Sequence, residues 1–155
     1  PQAGDRAYER SVHRHVPAGL HREVAPRVAG LTILDASILV AHFDASDAHH
    51  TDAGAVIAGA DELAASVLTL AEAAVDAART DRLDEQLGAL TELEVRSVAL
   101  GADSAPALAR LRADTGLRMP DCCVLQAASV VGADAIGTRD RRLAKAARER
   151  GYETP

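Results

Sequence analysis

Four acidic residues carry the most chemistry in this sequence: Asp35, Glu72, Asp121 and Asp140. Each lies where a short apolar run ends or a helix is expected to begin. Asp35 closes the run 31–34 (Leu-Thr-Ile-Leu), and Glu72 comes just after the run 67–70 (Val-Leu-Thr-Leu). Asp121 directly follows Pro120, and Asp140 comes shortly after the run 135–138 (Ala-Ile-Gly-Thr). Carboxylates gathered in one crevice repel one another unless a divalent cation neutralises them. Hard oxygen ligands of this kind suit Mg2+ or Mn2+. Without the cation, at least one of the acids should have a raised pKa.

The elements that would gather these acids alternate between strand and helix. Strands are expected at 31–35, 66–70, 94–99 and 134–137, and 152–154 could add a fifth. Helices are expected at 37–43, 47–60, 71–79, 81–91, 103–115, 120–131 and 141–150. Asp47 would cap the second helix, Gly116 and Gly151 would stop two others, and Pro120 fits a first helical turn. This alternation predicts an α/β fold, a short central parallel sheet of four or five strands with helices on both faces. In such a sheet the carboxyl ends of strands and the starts of the following helices meet at one crevice.

A chain of 155 residues fits one domain. With 48% hydrophobic residues but only 2% aromatics, its core must be built from Ala, Val, Leu and Ile. The net charge of −6 is unevenly spread. Residues 1–30 hold five arginines against three acids, 31–137 six against seventeen, and 138–155 six basic residues against three acids. So acidic a middle argues against a protein that coats nucleic acid, yet it suits a metal pocket with a local basic rim. Cys122 and Cys123 are neighbours on an expected helix, where a disulfide between them is geometrically poor. They are expected to be buried small hydrophobes, in keeping with a reducing cytosol. No run of eighteen apolar residues and no signal-like start is present, so a cytoplasmic protein without a membrane span is expected. Residues 1–29, with Pro17, Pro26 and no sustained apolar period, are expected to be a poorly ordered extension or a non-native start. The sequence opens on Pro1, and its single methionine is Met119. Arg6, Arg10, Arg14, Arg22 and Arg27 could alternatively form an arm for RNA or a partner.

Four segments together resemble the acidic motifs of PIN domains: Asp35-Ala-Ser37, Leu70-Ala-Glu72, Met119-Pro-Asp121-Cys-Cys-Val-Leu-Gln-Ala and Gly137-Thr-Arg-Asp140-Arg-Arg-Leu. The likeness is strongest to the VapC-type ribonuclease toxins of bacterial toxin–antitoxin systems, and it spans about residues 31–153. It implies a PIN-like three-layer nuclease domain over residues 30–155 that hydrolyses RNA with Mg2+ or Mn2+. Asp35 and Asp121 would be principal metal ligands, and Glu72 and Asp140 would complete the pocket directly or through water. Ser37 and Thr138 match hydroxyl positions that orient a carboxylate or a water. The implied partners are an RNA substrate, a cognate antitoxin whose arginine could enter the acidic pocket, and a second copy of the chain in a homodimer. The small-residue stretches 53–60 and 71–78 offer surfaces for either protein partner, or for packing within the domain. Arg139 and Arg141, beside Asp140, could contact RNA phosphates or simply form a solvated basic helix start.

Each acid also has a structural role open to it. Asp35 and Asp140 can cap helices, and Glu72 and Asp121 can sit near helix starts for the dipole alone. His49 and His50, adjacent in sequence, are expected to be exposed polar residues at a helix start rather than metal ligands. A haloacid-dehalogenase-type phosphatase would need a second Asp where Ser37 stands, and no Ser-His-Asp hydrolase or phosphate-cradling glycine loop is present. The rival to an enzyme is a PIN-like module that binds RNA or protein without cutting, and a housekeeping nuclease is the rival to a toxin.

Overall fold

The computed structural model describes residues 28–155. The arginines Arg6, Arg10, Arg14, Arg22 and Arg27, and the rest of residues 1–27, lie outside the described residues, whereas Val28 and Ala29, the last two residues of the expected extension, belong to the first strand. The chain runs β1 (Val28–Leu34), α1 (Ala36–Phe43), α2 (His50–Gly59), β2 (Ala60–Ser66), α3 (Val67–Arg79) and α4 (Leu83–Glu92). It continues through β3 (Arg96–Val98), a short 3-10 turn (Ala102–Ser104), α5 (Ala105–Thr115), α6 (Met119–Val131), β4 (Ala135–Gly137) and α7 (Arg141–Arg148). The four strands form one parallel sheet in the order β3-β2-β1-β4.

Alternation along β1 divides the interior in two, because successive strand side chains point to opposite faces. Leu31 and Ile33 enter one core with Val124, Leu125, Ile136 and Leu143, drawn from α6, β4 and α7. Leu34 enters a second core with Ile38, Leu39, Ile57 and Leu90, drawn from α1, α2 and α4. The expected three-layer α/β arrangement is the one observed. Gly137, at the end of β4, is needed for the second core. A Cβ there would stand 2.9 Å from Val56 Cγ1 and 3.3 Å from Leu34 Cδ2, so only glycine lets α2 close over the strand.

Strand order decides where a site can form. From β1 the chain winds outward through β2 to β3, then crosses back to place β4 on the other side of β1. The β1–β4 seam is therefore the topological switch point, where the connections leaving the two strands diverge and open a crevice. In register, Leu34 faces Gly137 across this seam, so both carboxyl ends finish level.

Three expectations need correction. The second strand is Ala60–Ser66, and the run 67–70 is the first turn of α3. Residues 60–65 have no β-branched side chain and so favour helix by propensity, but Ala64 and Ala65 are fully buried between β1 and β3 and tertiary packing prevails. Ser66 then starts the helix by accepting a 3.0 Å hydrogen bond from the Thr69 N–H. Second, Asp47 does not cap α2. It accepts from the His49 N–H at 2.7 Å in the turn before the helix, which begins at His50. Third, the proposed fifth strand at 152–154 is a single bridge between Glu153 and Ala135.

Candidate active site

The peptide that carries Asp35 continues the β1–β4 ladder past the end of the strand, its N–H donating to the Gly137 carbonyl at 2.9 Å. Asp35 stands at the N-cap position of α1, yet its side chain makes no capping hydrogen bond. Instead Oδ2 accepts from Ser37 Oγ at 2.6 Å and from Thr138 Oγ1 at 2.9 Å. Both hydroxyls are themselves oriented: Ser37 Oγ accepts from the Arg139 N–H at 3.0 Å, and Thr138 Oγ1 from the Asp140 N–H at 3.1 Å. Each proton is thereby directed at the carboxylate. Asp35 is only 9% exposed, and among the described residues no hydrogen bond reaches its Oδ1. A carboxylate withheld from capping and held by two hydroxyls is poised to bind something else.

The other acids arrive from different directions. Asp121, in the first turn of α6 and 6% exposed, uses Oδ2 to accept from the Arg118 N–H at 3.1 Å. Asp140 caps α7 with Oδ1, accepting from the N–H groups of Arg142 at 2.7 Å and Leu143 at 3.1 Å. Glu72 comes from the second turn of α3, and its pKa is raised by partial burial, then by the charges of Asp35 and Asp121, with the Arg118 cation pulling the other way. All four acids, together with Ser37, line one open cleft of roughly 490 Å³. Thr138 sits behind Asp35 and is 9% exposed.

The basic residues divide. Arg139 lines the cleft, but its Nη1 lies 3.6 Å from Asp47 Oδ1, which ties it to the turn before α2. Arg141 is exposed at the start of α7 and lies outside the cleft lining. Arg118 was not singled out from the sequence. Its Nε is 3.6 Å from Asp121 Oδ2 and its Nη2 4.0 Å from Asp140 Oδ2, while the side chain remains 74% exposed. The three-residue spacing from Arg118 to Asp121 across a helix start was the signal available. His49 and His50 do not line the cleft: His50 Nδ1 lies 3.1 Å from the Ala41 carbonyl, and its ring stacks on His42. Cys122 and Cys123 are buried and free, and burial pushes both thiols up in pKa, away from nucleophile chemistry.

The donor set fits a hard divalent cation: carboxylates and hydroxyls, with no imidazole or thiolate in the cleft. Beyond the effect of burial, the charges of Asp35 and Asp121 also push the Glu72 pKa up, and a cation would relieve that repulsion. As placed, no three such side chains among the described residues stand close enough to grip one ion, and Arg118 lies between two of them. Mg2+ keeps several waters, so one or two direct carboxylates suffice.

A family model described as PIN domain matches residues 32–149. Among solved structures, the chain is similar to Mycobacterium tuberculosis VapC20, a sarcin-ricin loop cleaving toxin, at 18% identity and TM-score 0.62, over 74% of this chain and 94% of that one. It is similar to a toxin–antitoxin complex from Klebsiella pneumoniae at 24% identity and TM-score 0.59, over 70% of this chain and 86% of that one. PAE2754 from Pyrobaculum aerophilum aligns at 23% identity and TM-score 0.52, over 84% and 90% of the two chains. At these identities the likeness is one of fold. No curated protein matched the chain.

Proposed function

The chain belongs to the PIN domain family, and on that premise we propose that it is a divalent-metal-dependent endoribonuclease acting as the toxin of a toxin–antitoxin pair in the cytoplasm. The observation that carries the reading is the Asp35 carboxylate, buried at the switch point, held by Ser37 and Thr138, and sharing its cleft with Glu72, Asp121 and Asp140. Asp35 and Asp121 are the principal ligands of Mg2+ or Mn2+, and Glu72 and Asp140 complete the shell directly or through water. The cation supplies charge at the phosphate and a more acidic water.

The remaining work falls to the chain itself. Asp35 and Asp121 each have one oxygen engaged by the structure, and Asp140 spends Oδ1 on the helix cap. The second oxygen of each is then aimed without a search over rotamers, the preorganisation that supporting hydrogen bonds give a metal site. Arg139, which lines the cleft, and Arg141, exposed at the start of α7, would meet the RNA backbone. The toxin role rests on the fold shared with the toxins above, and it brings with it an antitoxin partner and a homodimer. An antitoxin arginine reaching the four acids would supply the positive charge otherwise given by the cation.

The test is cleavage of total RNA with and without Mg2+ or Mn2+, comparing the protein with Asp35→Asn, alongside expression of the lone chain in a bacterial host. Cation-dependent cleavage by the parent alone, with growth arrest relieved by the neighbouring reading frame, is the expected result. Equal cleavage by both proteins would overturn the site, and harmless expression of an active nuclease would overturn the toxin role.

A further inference from the structure

Arg118 brings a positive charge into the cleft that the four acids line. Its guanidinium spans Asp121 and Asp140, 3.6 and 4.0 Å away, and lines the same cleft as Asp35 and Glu72. Its position is fixed from below, because the Arg118 N–H is bound to Asp121 Oδ2 at the start of α6. The side chain itself is 74% exposed and packs into neither core. Its backbone is held in place while its head remains free to leave. Exposed ion pairs of this kind are weak and exchange readily.

We propose that Arg118 is a built-in, exchangeable counter-ion of the acidic cleft, which competes with the divalent cation and so sets the cation concentration at which the site fills. A cation bound among Asp35, Glu72, Asp121 and Asp140 would meet the guanidinium as a like charge, and Arg118 must swing toward solvent for it to enter. The cleft thus carries its own partial neutraliser. This assignment rests on the reading of the four acids as a metal site, though not on RNA being the substrate.

The experiment measures Mn2+ binding to the full chain by electron paramagnetic resonance, for the parent, R118Q and R118K, at low and high salt. R118Q keeps the backbone hydrogen bond and removes only the charge. Loss of one nearby unit charge should tighten Mn2+ binding about three- to tenfold at low ionic strength, with R118K close to the parent and the difference shrinking in salt. The second readout is the melting temperature. In chelator R118Q should melt below the parent, and saturating Mn2+ should raise its melting point by more than it raises the parent's. Equal or weaker Mn2+ binding by R118Q, or no binding to either protein, overturns the proposal. If R118Q tightens Mn2+ but no RNA is cut, the counter-ion stands and the ribonuclease reading fails.

Discussion

The β1–β4 seam and helix α3 deliver acids to the same cleft by opposite means. At the seam, Asp35 is buried, its carboxylate fixed by two hydroxyls that are in turn fixed by backbone N–H groups. Glu72 extends from an exposed helical turn on a longer side chain, with no side-chain hydrogen bond among the described residues and with a raised pKa. One acid is positioned before any ligand arrives; the other is left to adapt. A site built this way has a rigid reference point and an adjustable flank, which suits a cation that must exchange waters during turnover.

The comparison predicts a hierarchy of effects. Asp35→Asn preserves size but removes the charge at the fixed point, and kcat/KM on RNA should fall about a hundredfold or more. A loss under about fivefold would mean the seam is not the centre of the chemistry. Thr138→Val removes one of the two hydroxyl donors and should lower Mn2+ affinity and turnover about tenfold, since Ser37 still holds the same oxygen. If it matched Asp35→Asn, the two hydroxyls would be acting as one unit. Gly137→Ala tests the seam's packing rather than its chemistry. Its Cβ would press on Val56 and Leu34, costing ~1–3 kcal/mol and several degrees of melting temperature, with part returned by Val56→Ala in the same chain.

The smallest effect is expected at the flexible flank, and its sign follows from proton linkage. The folded protein holds the Glu72 proton more tightly than the unfolded chain, whose carboxyl titrates near the ordinary value of 4.5. Stability of the metal-free protein should therefore fall as pH rises from the unfolded pKa through the raised folded one, and stay lower above it. Glu72→Gln should melt about one or two degrees above the parent at neutral pH in chelator, and level with it in acid. A gain that persisted in acid would assign it to packing instead of charge.

Much of the seam was legible in the sequence. Apolar runs mark β1 and β4, Asp35 and Thr138 follow them, and Pro120 marks the start of the helix that carries Asp121. The α3 side was harder. The sequence places the second strand at 66–70 because residues 60–65 carry no β-branched side chain, and only the burial of Ala64 and Ala65 between β1 and β3 overrides that propensity. That error moved the strand–helix boundary and put Glu72 in a first turn rather than a second. Arg118 escaped because its importance lies in a long-range approach to Asp140, which no local spacing reveals.

Among the described residues, both margins of the sheet are poor templates for further pairing. β3 is three residues long with Arg96 and Ser97 exposed, and such short, charged borders resist growth by strand addition. On the opposite margin the backbone of β4 is already engaged, the Ile136 N–H donating to the Glu153 carbonyl and the Glu153 N–H to that of Asp134. The chain is thereby guarded against stacking its sheet onto another copy's, the route that leads to fibres. The helix faces are then the surfaces left for a partner to pack on, where contacts are made by side chains and can be undone.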